Sequence, residues 1–197
     1  FSDLDQKRDG DPAKGSTNDW ESNSHLIHAS YGAFPYLKPT VFAYLLDFDN
    51  DAHKASARAN SNQTYGFRGT GDVKFGEDEK WKFGYAASYA YQEDFKDNPN
   101  SYEAHYAKGD LSLGYEDCGT LAIGAEMLGS DDGNAQFRTP LATAHAFNGW
   151  ADKFLDNGGP TGLVDTYVSI APKLPWKLKG KLVWHHFNKE EGGDTLG

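Results

Sequence analysis

Cysteine is almost absent: Cys118 stands alone among 197 residues, so no disulfide can form within the chain. That excludes the small secreted scaffold whose core is replaced by disulfides. Long hydrophobic runs are missing too. Nowhere do about eighteen consecutive apolar residues occur, so a transmembrane helix is excluded. Positive charge is in the minority, with 19 Lys and Arg against 29 Asp and Glu and a net charge of −10, which argues against a nucleic-acid partner. What is present is unusual beside these absences. Hydrophobic residues make up 38% and mean hydropathy is −0.70, yet aromatics reach 14% and glycines number 22. Disordered chains are poor in aromatics, so disorder does not fit. A transmembrane β-barrel does fit, because only every second strand residue must be apolar. The chain begins at Phe1 without Met or a signal peptide, so the expectation is a processed, clipped or partial chain.

The stretch "WKFGYAASYAYQED", 81–94, sets Trp81, Phe83, Tyr85, Tyr89 and Tyr91 on one side of a period-2 pattern. Lys82, Ser88 and Gln92 fall on the other. A soluble sheet keeps its aliphatic residues inside and charge outside. Here one face suits lipid and the headgroup interfaces, where Trp and Tyr place a polar tip, and the other suits a wet lumen. The alternation recurs, predicting strands at about 24–33, 39–48, 63–75, 81–93, 101–115, 120–128, 162–171 and 176–187. Several are longer than the usual five or six or so residues and match the roughly nine to eleven that cross a bilayer obliquely.

The connections alternate between short and long. "FPYLK", "GEDEK", "EDCG" and "PKLP" are short, whereas 49–62, 94–100 and 129–161 are longer. Bacterial barrels sort their loops this way, with short periplasmic turns and long outer loops. Residues 1–23, 49–62, 94–100, 129–161 and 188–197 are therefore expected outside. The chain reads as one all-β unit over 1–197, an antiparallel up-and-down transmembrane barrel with 129–161 as its long outer loop. Closure is required because lipid cannot satisfy a bare strand edge. The competing architecture is a soluble antiparallel sandwich or lipocalin-like barrel that binds carbohydrate.

Strand parity assigns the lumen face. In 176–187, Trp176, Leu178, Leu182 and Trp184 point out, leaving Lys177, Lys179, Lys181 and His185 inside as a basic ladder. In 63–75 the inward set is Arg68, Asp72 and Lys74, with Lys82 from the next strand. Glu126 follows from 120–128, and Asp165 and Tyr167 from 162–171. Strand 101–115 changes parity between Tyr106 and Leu111, so a bulge near Gly109 is expected, with Lys108 and Asp110 inside. Arg and Lys in a lumen attract anions. The alternative is that these charges pair across strands and solvate the wall. Carboxylates concentrate in the loops ("DFDND", "EDFKDN", "SDDGN", "KEEGGD"), so net charge misleads about the pore.

The stretch "TPLATAHAFNGWADKFL" (139–155), followed by "GLVDTYVSI", resembles the alginate-export family of bacterial outer-membrane porins. So do "DWESNSHLIHASYG", "FAYLLDFDNDA", "SNQTYGF", "AEMLGSDDG" and "WHHFNKEEGGD", which occur around it and span most of the chain from about residue 19. The resemblance implies a Gram-negative outer-membrane barrel of roughly eighteen strands, wide enough to leave a channel, of which about eight are present. It implies anion-conducting or export porins and does not imply passage of alginate itself; an acidic polysaccharide enters as one anion that a lumen carrying Arg and Lys would attract. The chain departs from the family by its strand number and by ending in "EGGDTLG", in a loop.

A porin performs no catalytic step, so no enzyme is expected, and no cofactor. The expected partners are membrane lipid, lipopolysaccharide and a small or anionic solute. Loop 129–161 carries Arg138, His145, Trp150, Asp152, Lys153 and Phe154, a composition unlike a Gly/Ser tip. Two placements are open for it, folded into the lumen as a constriction or packed on the outer rim. Weaker motifs lead nowhere. Asp47, Asp49 and Asp51 are spaced like a calcium loop but lack its glycine and distal Glu. The pairs His25/His28 and His185/His186 lack further ligands. "GFRGTG" opens no helix, so it is not a nucleotide loop.

Overall fold

The computed structural model of the chain describes residues 3–5, 19–48, 58–141 and 159–191. Two short strands, β1 (Asp3–Asp5) and β2 (Asp19–Glu21), pair with each other. Then come β3 (His25–Ser30), β4 (Lys38–Leu46), β5 (Asn62–Phe75), β6 (Trp81–Asp94), β7 (Glu103–Tyr115) and β8 (Gly119–Leu128). A small hairpin of β9 (Ser130–Asp131) and β10 (Ala135–Gln136) follows, and β11 (Leu163–Pro172) and β12 (Leu182–Asn188) complete the set. One eight-stranded antiparallel sheet runs β12-β11-β8-β7-β6-β5-β4-β3. Each strand of this sheet pairs with its neighbour in sequence, as an up-and-down β architecture requires. The sheet is open: β3 and β12 are its two edges and do not pair with each other.

Strand length comes from sustained alternation. β5 and β6 each run 14 residues and pair along their whole length, from Asn62↔Asp94 to Phe75↔Trp81. Two of the turns at one end are tight. Residues 76–80 reverse the chain with Gly76, Asp78 and Glu79 at positive φ, and 116–118 do so with Gly119 at φ 127°. A Cβ at Gly119 would also lie 2.3 Å from the Ala171 carbonyl oxygen. Residues 31–37 and 173–181 connect strands at this end too. At the other end β4 joins β5, β6 joins β7 and β8 joins β11 through 47–61, 95–102 and 129–162; 95–102 is shorter than 173–181, so length sorts with side only in part.

The two faces differ in kind. One face carries hydrogen-bond-registered rows of apolar residues, such as Val73–Phe83–Leu113–Leu121–Ile170–Leu182 and Tyr85–Leu111–Ile123–Val168–Trp184. Most of these side chains are exposed, with Leu121 at 52%, Ile123 at 50%, Leu182 at 71% and Trp184 at 62% of their free areas, while Val73 and Tyr85 are half-buried. Soluble monomers rarely leave so continuous an apolar surface open. Aromatic rows bound it at both ends. Phe75, Trp81 and Tyr115 lie in one register line, with ring centroids 6.2 and 4.8 Å apart. Tyr65 and Tyr91 oppose each other ten positions up β5. Ten steps at about 3.3 Å, on strands tilted by about 35–45°, give a band about 23–27 Å tall, matching the roughly 25 Å apolar belt of outer-membrane barrels.

Two expectations are corrected. Pairing of β7 with β6 and β8 is continuous through Gly109, so there is no bulge. Tyr106 points to the polar face with Lys108 and Asp110, and no parity change occurs. The strand expected at 176–187 begins only at Leu182. Before it, Pro175–Lys177 forms a 3-10 turn in which Trp176 takes φ 56°, and Lys179 bridges back to Lys173. Prolines 172 and 175 cannot donate to a ladder, so the chain turns where the alternation of Lys with Trp and Leu suggests a strand. Lys177, Lys179 and Lys181 therefore do not form a ladder on one strand face.

Candidate functional site

The polar face carries its charges in an ordered line. The register places Thr40, Arg68, Ser88, Lys108, Glu126, Asp165 and Phe187 side by side across seven strands. Cations occupy its β5–β7 part and carboxylates its β8–β11 part. Lys108 Nζ lies 3.4 Å from Glu126 Oε2, and the Tyr106 hydroxyl donates to Glu126 Oε1 at 2.7 Å. Asp165 is buried to 2% exposure and accepts from, or pairs with, His185 Nδ1 at 2.8 Å. Arg68 is exposed and has no ion pair among the described residues.

One step toward the short turns runs the line Asp110–Gly124–Tyr167–His185. The Tyr167 ring lies flat over Gly124, and its hydroxyl donates to Asp110. Lys108 Nζ sits 5.7 Å from the centre of the same ring. Nearer the turns, Lys74 and Lys82 are direct register partners and Lys82 pairs with Asp72 at 3.3 Å. That pair is half-exposed, so it is worth at most about 1 kcal/mol; its consequence is the placing of charge. Much of the polar-face charge is thus paired across strands.

At the long-loop end the same face becomes apolar and is covered. Ala90, Tyr102, Ala104, Leu128, Ala135, Phe137 and Leu163 form a buried cluster, with Phe42, Tyr106 and Phe187 packed against it. Residues 129–141 turn inward over this end. The Phe137 ring packs, tilted by 34°, against Tyr106 with centroids 5.4 Å apart. Gln92, 1% exposed, holds the next residue from both sides. Its Oε1 accepts from the Arg138 backbone N–H at 2.7 Å, and its Nε2 donates to the Arg138 carbonyl at 2.9 Å. The same amide donates to Thr64 Oγ1 at 2.9 Å and Asn62 Oδ1 at 3.2 Å, and accepts from the Tyr102 hydroxyl at 3.1 Å. Burial pushes the Tyr102 phenol above its ordinary pKa, with Arg138 acting the other way. The neighbouring connection joins in, as Asn98 donates to the carbonyl of Ser61 at 2.6 Å.

Of the residues singled out from sequence, Arg68, Asp72, Lys74, Lys82, Lys108, Asp110, Glu126, Asp165 and His185 all lie on the polar face. Lys179 and Lys181 are exposed near the short turns, and Lys177 is in the 3-10 turn. Arg138 is against the inner face; His145, Trp150, Asp152, Lys153 and Phe154 lie outside the described residues, as do Asp49 and Asp51. Gln92, Asn62, Thr64, Tyr102 and Tyr106 carry roles that charge-based reading misses. The parity that places Lys82 inside also places Gln92 there. Among the described residues no group of three or more His, Cys, Asp or Glu is placed to hold a metal ion.

Comparison of the chain with protein-family models, with curated proteins and with solved structures gives no match.

Proposed function

We propose that this chain is a segment of a bacterial outer-membrane porin that passes small or anionic solutes by diffusion or export. One observation carries the reading: an antiparallel sheet of long strands exposes a continuous apolar face, bounded by aromatic rows a bilayer apart, and sets its charges on the opposite face. Lipid would cover the first face and water would fill the space before the second. The open edges at β3 and β12 would be satisfied by further strands of a larger barrel. An acidic polysaccharide is one anion that the Arg68 and Lys108 side of this face would attract.

In this reading the lumen works by its charge and width. Arg68 and Lys108 line one side and Glu126 and Asp165 the other. Anions would track along β5–β7 and cations along β8–β11. The 129–141 segment, held inward by Gln92, narrows the outer end. No catalytic step is invoked.

Planar-bilayer recording in asymmetric KCl tests this. R68Q/K108Q should shift the reversal potential toward cation selectivity by a several-fold change in permeability ratio, and E126Q/D165N should shift it the other way. Channels whose selectivity ignores both pairs would contradict the lumen assignment. Absence of conductance from reconstituted wild-type protein would contradict the porin itself.

A further inference from the structure

Asp165 is a buried carboxylate that depends on a single histidine. Only 2% of it is exposed, and His185 Nδ1 lies 2.8 Å from its Oδ2 and 3.1 Å from its Oδ1. No other donor among the described residues reaches these oxygens. A buried carboxylate is tolerated where a partner supplies a hydrogen bond or a charge. This partner can supply either. A neutral imidazole donates one N–H, and an imidazolium donates the same N–H and adds a positive charge. The ring is held in place by its neighbours: Phe187 lies parallel to it, with centroids 5.4 Å apart, and Tyr167 sits at 5.6 Å. The His185 side chain keeps 23% of its area exposed, so water reaches it.

The charges around the pair are unbalanced. β11, the strand packed against β12, brings Asp165 and Tyr167 to His185. Behind them stand Glu126 on β8 and Lys108 and Asp110 on β7. Val183 and Phe187 flank His185 on its own strand, whose other side is the sheet edge. One cation, Lys108, therefore stands against three carboxylates. Glu126 is already engaged by Lys108 and Tyr106, and Asp110 by the Tyr167 hydroxyl. Among these groups only histidine ordinarily changes its charge between about pH 5 and 8.

We infer that Asp165 and His185 form a proton-responsive element in the wall of the polar face, which sets how strongly the β8–β11 side draws cations. At high pH the pair carries one negative charge. After binding a proton it is neutral, whichever partner holds the proton. With Lys108, Asp110 and Glu126 unchanged, the cluster passes from doubly to singly negative, and its attraction for cations falls. The effect on conduction rests on the porin reading.

Planar-bilayer recording of the parent protein in asymmetric KCl, from about pH 8.5 to about pH 5.5, provides the test. The cation-to-anion permeability ratio should fall by roughly twofold or more across this range. H185Q should lose that step. H186Q should keep it, because His186 lies on the apolar face against Trp184, with rings 5.8 Å apart. D165N at high pH should show the ratio that the native protein reaches at low pH, since the pair is neutral in both. A ratio indifferent to pH, or a step that survives H185Q at full size, would overturn the inference and leave a conducting porin in place. Silent membranes would instead bring down the porin reading, and this inference with it.

Discussion

Gly124 shows how single positions shape the polar face. It stands between Asp110 and Tyr167 in the register, and a Cβ there would lie 2.4 Å from the Tyr167 ring. Its backbone is ordinary strand, so glycine is needed for room. The missing side chain lets the tyrosine lie down and reach Asp110. G124A should cost about 1–3 kcal/mol of stability in detergent, read from the denaturant midpoint, because the ring must lift off. Y167A removes the obstacle, so the double variant should lose less than the two single variants together. Additive losses would show that ring and glycine do not interact. The charged members of this face were legible in the sequence, because Arg68, Lys108, Glu126 and Asp165 sit at positions whose neighbours along the strand are apolar. Gly124 and Gln92 were not. A glycine has no signature beyond its absence of bulk, and a neutral amide on a wet face looks like any other polar residue until Arg138 is placed on it.

At the scale of the strand, alternation proved a sufficient guide wherever it was uninterrupted. β5, β6 and β8 begin and end within one residue of their expected limits, because Gly76, Asp78 and Glu79 adopt turn geometry on one side and Gly119 on another. β7 was misread in parity. Tyr106 looks like a lipid-facing aromatic, but its hydroxyl serves Glu126 on the polar face. The lysine ladder failed for a similar reason: period-2 spacing of Lys177, Lys179 and Lys181 is not enough where Pro175 and the positive φ of Trp176 turn the backbone. The two faces of β8 give the sharpest test of lipid against lumen. Ile123 lies on the apolar face near mid-band, and Ala122 beside it faces the charges. I123K should cost about 2–4 kcal/mol for insertion into lipid vesicles, as expected for lysine near the bilayer midplane. A122K should insert nearly as well as wild type. Equal penalties, or tolerance of both, would mean that the apolar face does not meet lipid.

The molecule as a whole is acidic, with a net charge of −10, while the β5–β7 side of its polar face is basic. Many of the chain's carboxylates lie in sequence between the long strands, so overall charge says little about the polar face of the sheet. The architecture follows the same logic. An eight-stranded sheet with both edges bare is stable in lipid only when further strands complete it, since the bilayer offers no hydrogen-bonding partners. The sheet and its pairing were legible from strand spacing and, in part, from connection length. How the sheet is completed was not, because the sequence pattern fixes neighbours and leaves the ends of the row undetermined. The central claim is that this sheet is part of a closed barrel in a membrane, and one paired gel tests it. The parent protein is extracted from membranes and run in SDS, unheated beside boiled. A closed barrel resists cold SDS and changes mobility on boiling, so the two lanes should differ and extraction should require detergent. Identical lanes, from protein released without detergent, would contradict the account and turn the apolar rows into the core of a soluble sandwich.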